Sequence, residues 1–217
     1  MQTQTKKITV IAMLSAIAYL VMVVGRIPIV LFLKYDPKDV IITIGGFLFG
    51  PLTAFTMSAL VSSVEMLTVS TTGFIGLLMD IISSCSFACT AAIIYKKKHN
   101  YKGAILGLIA GWLVTTATML LWNYLITPIY LGYPREAVVE LLIPAFLPFN
   151  LLKGGLNASI AMLIYKPLSK ALRSANLMPR VEETSTNRKK VTIGSVLVSS
   201  LIIVSCILLI LEFQGCI

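Results

Sequence analysis

The sequence predicts an all-α polytopic membrane protein, and three observations carry that prediction. First, 57% of the 217 residues are hydrophobic and only 12% are charged, with a mean hydropathy of +0.91; a soluble domain runs about 45–50% apolar and about 25% charged. Second, the apolar residues gather into seven runs, and at roughly 20 residues per spanning helix these leave short loops and no space for a soluble domain. Third, Lys and Arg are concentrated in a few connections, as expected when helices thread a bilayer in alternating directions. A soluble enzyme, a disordered chain and a secreted disulfide scaffold are all excluded. The cysteines agree: Cys85, Cys89 and Cys206 sit inside apolar runs and Cys216 lies near the C-terminal end, which is no loop framework. Cys85 and Cys89 are one helical turn apart, but no His or further Cys joins them. They read as small buried hydrophobes, and no metal is expected.

In chain order, the first run, Ile8–Gly25, follows Lys6 and Lys7. It is long for the apolar region of a signal peptide, lacks a small-x-small cleavage site and precedes further spans, so a retained helix is expected. A loop with four charges, one aromatic and one proline follows, Lys34-Tyr35-Asp36-Pro37-Lys38-Asp39. The second run, Val40–Gly50, is short for a hydrocarbon core of about 30 Å. Gly50-Pro51 separates it from the third, Leu52–Val69, because proline is tolerated only at a helix start. Gly73–Tyr95, Gly103–Tyr130 and Leu141–Tyr165 are the fourth to sixth. Ser169–Lys190, polar and containing Pro179, reads as a linker. Val191–Leu211, with nothing ionisable inside it, reads as an appended anchor or packing helix.

The charge map sets the orientation. Lys6, Lys7, the Lys96–Lys102 cluster and the stretch Lys166–Lys190 hold thirteen of the eighteen basic residues, and are expected inside. Seven of the nine acids then fall toward the outer side: Asp36, Asp39, Glu65, Asp80, Glu136, Glu140 and Glu212. The net charge of +9 is therefore a topology signal. A nucleic-acid partner would need a basic soluble face, which the sequence does not offer.

Several chemistries are missing. No Gly-Lys dipeptide occurs, so no phosphate loop can be read. His99, the sole histidine, lies in a basic loop, which removes a Ser-His-Asp triad and a two-His zinc site. Asp80 is the only Asp well inside an apolar run, where a paired-carboxylate protease would need two.

Polar groups kept in hydrocarbon are costly and mark candidate sites. Three groups stand out, all toward the outer side. One is the charged loop: it reads either as a cover over a pocket or as a solvated loop, with Asp36 capping the next helix and Pro37 at its first position. The second is Trp122-Asn123-Tyr124, where the Asn amide needs partners. The third is Pro148-Phe149-Asn150-Leu151-Leu152-Lys153-Gly154-Gly155. Asn150, Lys153 and Asn157 share one helix face there. Lys153 either snorkels to the interface or joins Asn150 in a donor-rich patch. Tyr35, Phe149 and Trp122 are candidate aromatic faces for a flat ligand. Small residues at spacing four, Ala12 and Ala16 in the first run and Gly103, Gly107 and Gly111 in the fifth, allow close helix packing, within the chain or against another subunit.

These residues carry a family resemblance. Lys34-Tyr35-Asp36-Pro37-Lys38-Asp39-Val40, Phe49-Gly50-Pro51-Leu52, Asn123-Tyr124 with Pro128, and Pro148-Phe149-Asn150-Leu151-Leu152-Lys153-Gly154 together resemble the riboflavin-specific S component of energy-coupling factor (ECF) transporters. The likeness covers roughly residues 8–172. It implies a six-helix vitamin-binding membrane domain over 1–172, and leaves a cytoplasmic linker at 173–190 and one extra transmembrane helix at 191–217. It also implies a non-enzymatic, multi-pass subunit of the prokaryotic cell membrane. Such a subunit binds riboflavin as transported ligand, with no cofactor, in a pocket open to the outside under a lid made by the first loop. Asn123, Asn150 and Lys153 match the flavin-contacting positions, with Tyr35, Asp36 and Lys34 on the lid. Ala12 and Ala16 match the face that docks on a transmembrane coupling subunit, which two ATPase subunits drive. The chain departs from the pattern at Ser62-Ser63, at Glu65 and at Asp80. An S component for another vitamin or a modified flavin, or a small membrane enzyme using Asp80 and Glu65, are the alternatives.

Overall fold

The computed structural model describes residues 2–30, 33–132, 134–174 and 188–213. Helix α1 (Gln2–Gly25) leads into a short antiparallel hairpin, β1 (Ile27–Val30) and β2 (Leu33–Tyr35), with Ile27 opposite Tyr35. Then come α2 (Lys38–Phe49), α3 (Pro51–Thr68), α4 (Gly73–Lys97), α5 (Tyr101–Leu131) and the short α6 (Arg135–Leu141). A π-helical stretch (Leu142–Phe146) runs into α7 (Leu147–Ser174), and α8 (Arg188–Phe213) completes the described chain. Among the described residues, four helices are long and apolar enough to cross a membrane: Gln4–Gly25, Gly73–Lys97, Lys102–Tyr130 and Arg135–Tyr165.

The shortness of the second apolar run has a structural reason. Helix α2 is the centre of the bundle, packed by α1, α3, α4 and α7, and every residue from Lys38 to Phe47 is buried. A helix apolar all round belongs in such a place. Gly45 and Gly46 permit it: an added methyl would collide with Met57 Sδ at the first, and would meet the Ala54 and Ala92 methyls at 3.0 Å at the second. Gly50 (φ 99°) turns the chain and Pro51 opens α3 at its first position, where proline's missing N–H is no loss.

In lipid, helices are held by close packing more than by the hydrophobic effect. The α4–α5 pair shows how. A methyl on Gly107 would meet the Ala91 carbonyl oxygen at 2.6 Å, and one on Gly111 the Phe87 carbonyl oxygen at 2.6 Å. The glycine stripe of α5 is thus internal packing and offers no face to another subunit. Leu20, Leu52, Leu113 and Leu121 are exposed on the outer surfaces of their helices, as lipid-facing residues should be.

Three boundaries differ from the sequence reading. The hairpin falls where only a loop is expected; its strands are too short for apolar alternation to reveal. Helix α7 continues through Pro167 to Ser174, beyond the expected linker start at Ser169. The final helix begins at Arg188, inside the expected linker. Residues 175–187, which hold Pro179, and Cys216 lie outside the described residues. Helix α8 lays one stripe on the bundle: Ser199, Cys206 and Ile210 are buried. Cys206 and Ile210 join an apolar cluster with Ile29, Leu33 and Tyr35 of the hairpin and Phe149, Leu152 and Leu156 of α7.

Candidate functional site

A cavity of about 310 Å³ opens where the end of α1, the hairpin, the α3–α4 turn and the last turns of α5 come together. This is the end of the bundle opposite the Lys96–Lys102 connection. Its volume falls in the range of small-molecule sites. One side is aromatic and amide-bearing: Trp122, Asn123, Phe149 and Asn150 line it. The other is charged, lined by Arg26, Asp36, Glu65 and Asp80, with Lys153 between the two sides.

The amide side is built from local sequence. Asn123 Nδ2 donates to the Met119 carbonyl at 2.7 Å and Asn123 Oδ1 accepts from Thr127 Oγ1 at 3.0 Å. Asn150 Nδ2 donates to the Phe146 carbonyl at 2.8 Å, at the end of the π-helical stretch. Each amide is held by its own helix and keeps hydrogen-bonding capacity for a ligand. Both residues are buried.

The charged side is built from long-range contacts. Lys38, the first residue of α2, has no exposed surface. Its ammonium is paired with Glu65 of α3 and lies 3.3 Å from Asp80 of α4. Arg26 donates to Glu65 and lies 3.8 Å from Asp36. Lys153 Nζ lies 3.9 Å from Asp36 and 3.6 Å from Asp39. Asp39 accepts from Ser84 Oγ at 2.5 Å and from Asn157 Nδ2 at 3.3 Å. Asn157 Oδ1 in turn accepts from the Tyr35 hydroxyl at 3.0 Å. Carboxylate oxygens of Asp36, Glu65 and Asp80 lie within 4.8 Å of one another, a repulsive arrangement that Arg26 and Lys38 offset. Burial alone would raise the Asp36 pKa, but Lys153, Lys38 and Arg26 outweigh it and hold the carboxyl below its ordinary value. For Arg26, burial opposes the charge and Glu65 outweighs it, so the guanidinium stays firmly protonated. The Tyr35 phenol is pushed up, first by burial and then by Asp39 and Asp36, which keeps its hydroxyl a donor.

The structure therefore brings Asn123, Asn150, Lys153, Asp36 and Lys34 to one cavity. Lys34 stands exposed at the rim. Tyr35 is different: its ring packs in the apolar cluster under the hairpin and its hydroxyl is taken by Asn157, so it does not line the cavity. Asp36 does not cap α2, whose cap position is Pro37 without a side-chain bond; its carboxylate serves the charge network instead. Lys153 is buried and does not snorkel. Ala12 and Ala16 are exposed on α1, with Leu14, Ser15 and Ala18 buried on the opposite side. Sequence reasoning missed Arg26 and the structural role of Lys38. The available signal was Glu65 and Asp80 inside apolar runs, since a buried acid in a membrane implies a buried base. Those two acids are paired with Arg26 and Lys38.

Comparison with known proteins bears on this arrangement. A family model described as "ECF transporter, substrate-specific component" matches residues 6–165. The riboflavin transporter RibU of Staphylococcus aureus (strain TCH60) is 30% identical over 179 residues, spanning 78% of this chain and 94% of that protein. The riboflavin transporter FmnP of Bacillus subtilis (strain 168) is 29% identical over 190 residues, spanning 80% of this chain and 99% of that protein. A solved structure of the S component of a bacterial ECF transporter superposes with a TM-score of 0.65 at 29% identity, covering 78% of this chain and 99% of that one.

Proposed function

We propose that this chain, which belongs to the family of substrate-specific components of ECF transporters, is the riboflavin-binding membrane subunit of a vitamin importer. It is a transporter component and not an enzyme. The observation that carries the ligand assignment is the amide side of the cavity. Trp122 and Phe149 flank Asn123 and Asn150 in a largely apolar space. A flat tricyclic ring fits between aromatic faces. Its carbonyl and imide edge needs neighbours that both donate and accept, as Asn amides do. Lys153 adds a donor from the same face of α7. Asp36 and Lys34, carried on and just after the hairpin, would meet the ligand from the lid side. Tyr35 would act one step away, by fixing Asn157 and so Asp39.

Family membership supports two further assignments: the domain over 1–172 binds the vitamin, and the protein resides in the cell membrane. The linker proposed at 173–190 and the extra transmembrane helix proposed within 191–217 lie beyond the family match, and the helix itself begins at Arg188. Transport then requires a transmembrane coupling subunit and two ATPase subunits, consistent with the absence of a phosphate loop. The exposed Ala12 and Ala16 present a small, close-packing face on α1 for that coupling subunit.

The direct test is purification in detergent. A yellow protein with a flavin spectrum is expected, and fluorescence titration should then show riboflavin binding; a colourless protein with no binding at micromolar riboflavin would overturn the assignment. Ala12→Trp should abolish uptake in cells while leaving flavin binding intact. Normal uptake by that variant would remove the docking assignment.

A further inference from the structure

Helix α8 lies beyond the family match, which ends at residue 165. It begins with Arg188-Lys189-Lys190, which belong with the other basic connections, and its later turns pack beside residues that line the cavity. Ser199, Cys206 and Ile210, spaced by seven and four, form one buried stripe. Leu197, Leu201, Val204 and Leu208 stay exposed on the rest of the helix. The helix packs on α7 and touches β1. A methyl on Gly155 of α7 would meet the Cys206 sulfur at 3.8 Å, so the two helices approach closely there.

The stripe covers the back of the cavity wall. Cys206 and Ile210 belong to one cluster with Ile29, Leu33 and Tyr35 of the hairpin and Phe149 of α7. Leu33 and Phe149 also line the cavity, so each stands between the cavity and that cluster. Tyr35 reaches from the cluster to Asn157, which donates to Asp39, the partner of Lys153. The hairpin has strands of four and three residues, and an isolated two-stranded hairpin is marginally stable at best. Its buried Ile29, Leu33 and Tyr35 are therefore its anchors, and α8 supplies part of the surface they rest on.

We propose that α8 is a strap on the hairpin: Cys206 and Ile210, packed behind Leu33 and Tyr35, hold the hairpin over the cavity and slow the exit of its ligand. Both are positioning residues, since neither lines the cavity. Contacts made only while the hairpin is down are lost when it lifts, so they lower the population of the lifted state. The effect on ligand exit rests on the flavin reading above; the restraint of the hairpin stands without it.

The test uses the full-length chain in detergent. Cys206→Ala combined with Ile210→Ala should speed hydrogen exchange of the β1 and β2 amides in the ligand-free protein by at least about threefold. Riboflavin dissociation, followed by flavin fluorescence, should speed up by at least about threefold as well. Ile210→Leu with Cys206 retained should restore both rates. Leu201→Ala combined with Leu208→Ala, which trims only the exposed side of α8, should leave both as in the parent. Either rate unchanged in the first variant would overturn the strap. Failure of the unsubstituted chain to bind riboflavin would overturn the flavin reading, and hairpin exchange alone would then decide the strap. The unsubstituted protein also gives a measurement that needs no variant to fold. Ligand and strap bias the same hairpin, so saturating riboflavin should slow exchange of the α8 amides around Cys206 and Ile210 by at least about threefold. Slowing in the hairpin with none in α8 would overturn the proposal.

Discussion

The two sides of the cavity keep polar atoms in an apolar bundle by opposite means. On the amide side, Asn123 and Asn150 each donate to a carbonyl one turn earlier in their own helix. Nothing distant is needed to hold them, and part of each amide stays available. On the charged side, no residue is satisfied locally. Lys38 depends on α3 and α4, Arg26 on α3, and Lys153 on Asp36 before α2 and Asp39 within it. The first arrangement suits recognition, because removing a ligand leaves it standing. The second is a fastening that ties α2, α3, α4, α7 and the hairpin end together. Local satisfaction costs the fold little when mutated, whereas a shared buried network propagates the damage.

The comparison can be broken most severely at Lys38. Lys38→Ala leaves Asp80 without its buried cation and Glu65 with Arg26 alone, and breaking a buried pair costs about 3–5 kcal/mol. Loss of a monodisperse, folded peak after detergent extraction is expected. A variant that melts like the parent would show that the charged side is no fastening. Asn150→Ala should act in the other direction, weakening riboflavin by roughly tenfold or more for one lost buried hydrogen-bonding group, while the melting temperature stays close to the parent value. Lys153→Ala combined with Asn150→Ala should abolish flavin binding and also lower the melting temperature, because Lys153 belongs to both sides. Binding unchanged in the double variant would sink the site assignment. The smallest effect is expected at Lys34→Ala: its side chain is solvated at the rim, so riboflavin affinity should stay within about threefold, in line with the weak worth of exposed charges.

Legibility in the sequence follows the same division. Asn123, Asn150 and Lys153 stand out because each is a polar residue in an apolar run, and that anomaly is visible without knowing any partner. The pairing of Arg26 and Lys38 with Glu65 is not visible: the partners are separated by 39 and 27 positions, and each cation lies beside loop residues where a charge is ordinary. Asn157 and Asp39 are 118 apart, and Tyr35 and Asn157 are 122 apart. Tyr35 is legible as an aromatic in a candidate lid, but only the hairpin's register turns its ring into the apolar cluster and away from the cavity. Helix α2 is legible as a short run; its burial on all sides is not.

The sequence by itself determined that this is an all-α membrane protein, which end of the bundle carries the unusual polar residues, and, through ordered motifs, the family. These are one-body properties: the cost of a polar group in hydrocarbon, the Lys and Arg bias of connections, and the helix-breaking of Gly50-Pro51 each act at a single place in the chain. Only the tertiary structure decided which charges meet, that the glycines of α5 are spent on α4, and that α8 lies against the hairpin. Those are two-body facts, fixed by packing between residues far apart in sequence. The physical reason is that a carboxylate's preference for a cation is the same everywhere, while the choice of cation is made by whichever helix the packing brings within about 4 Å.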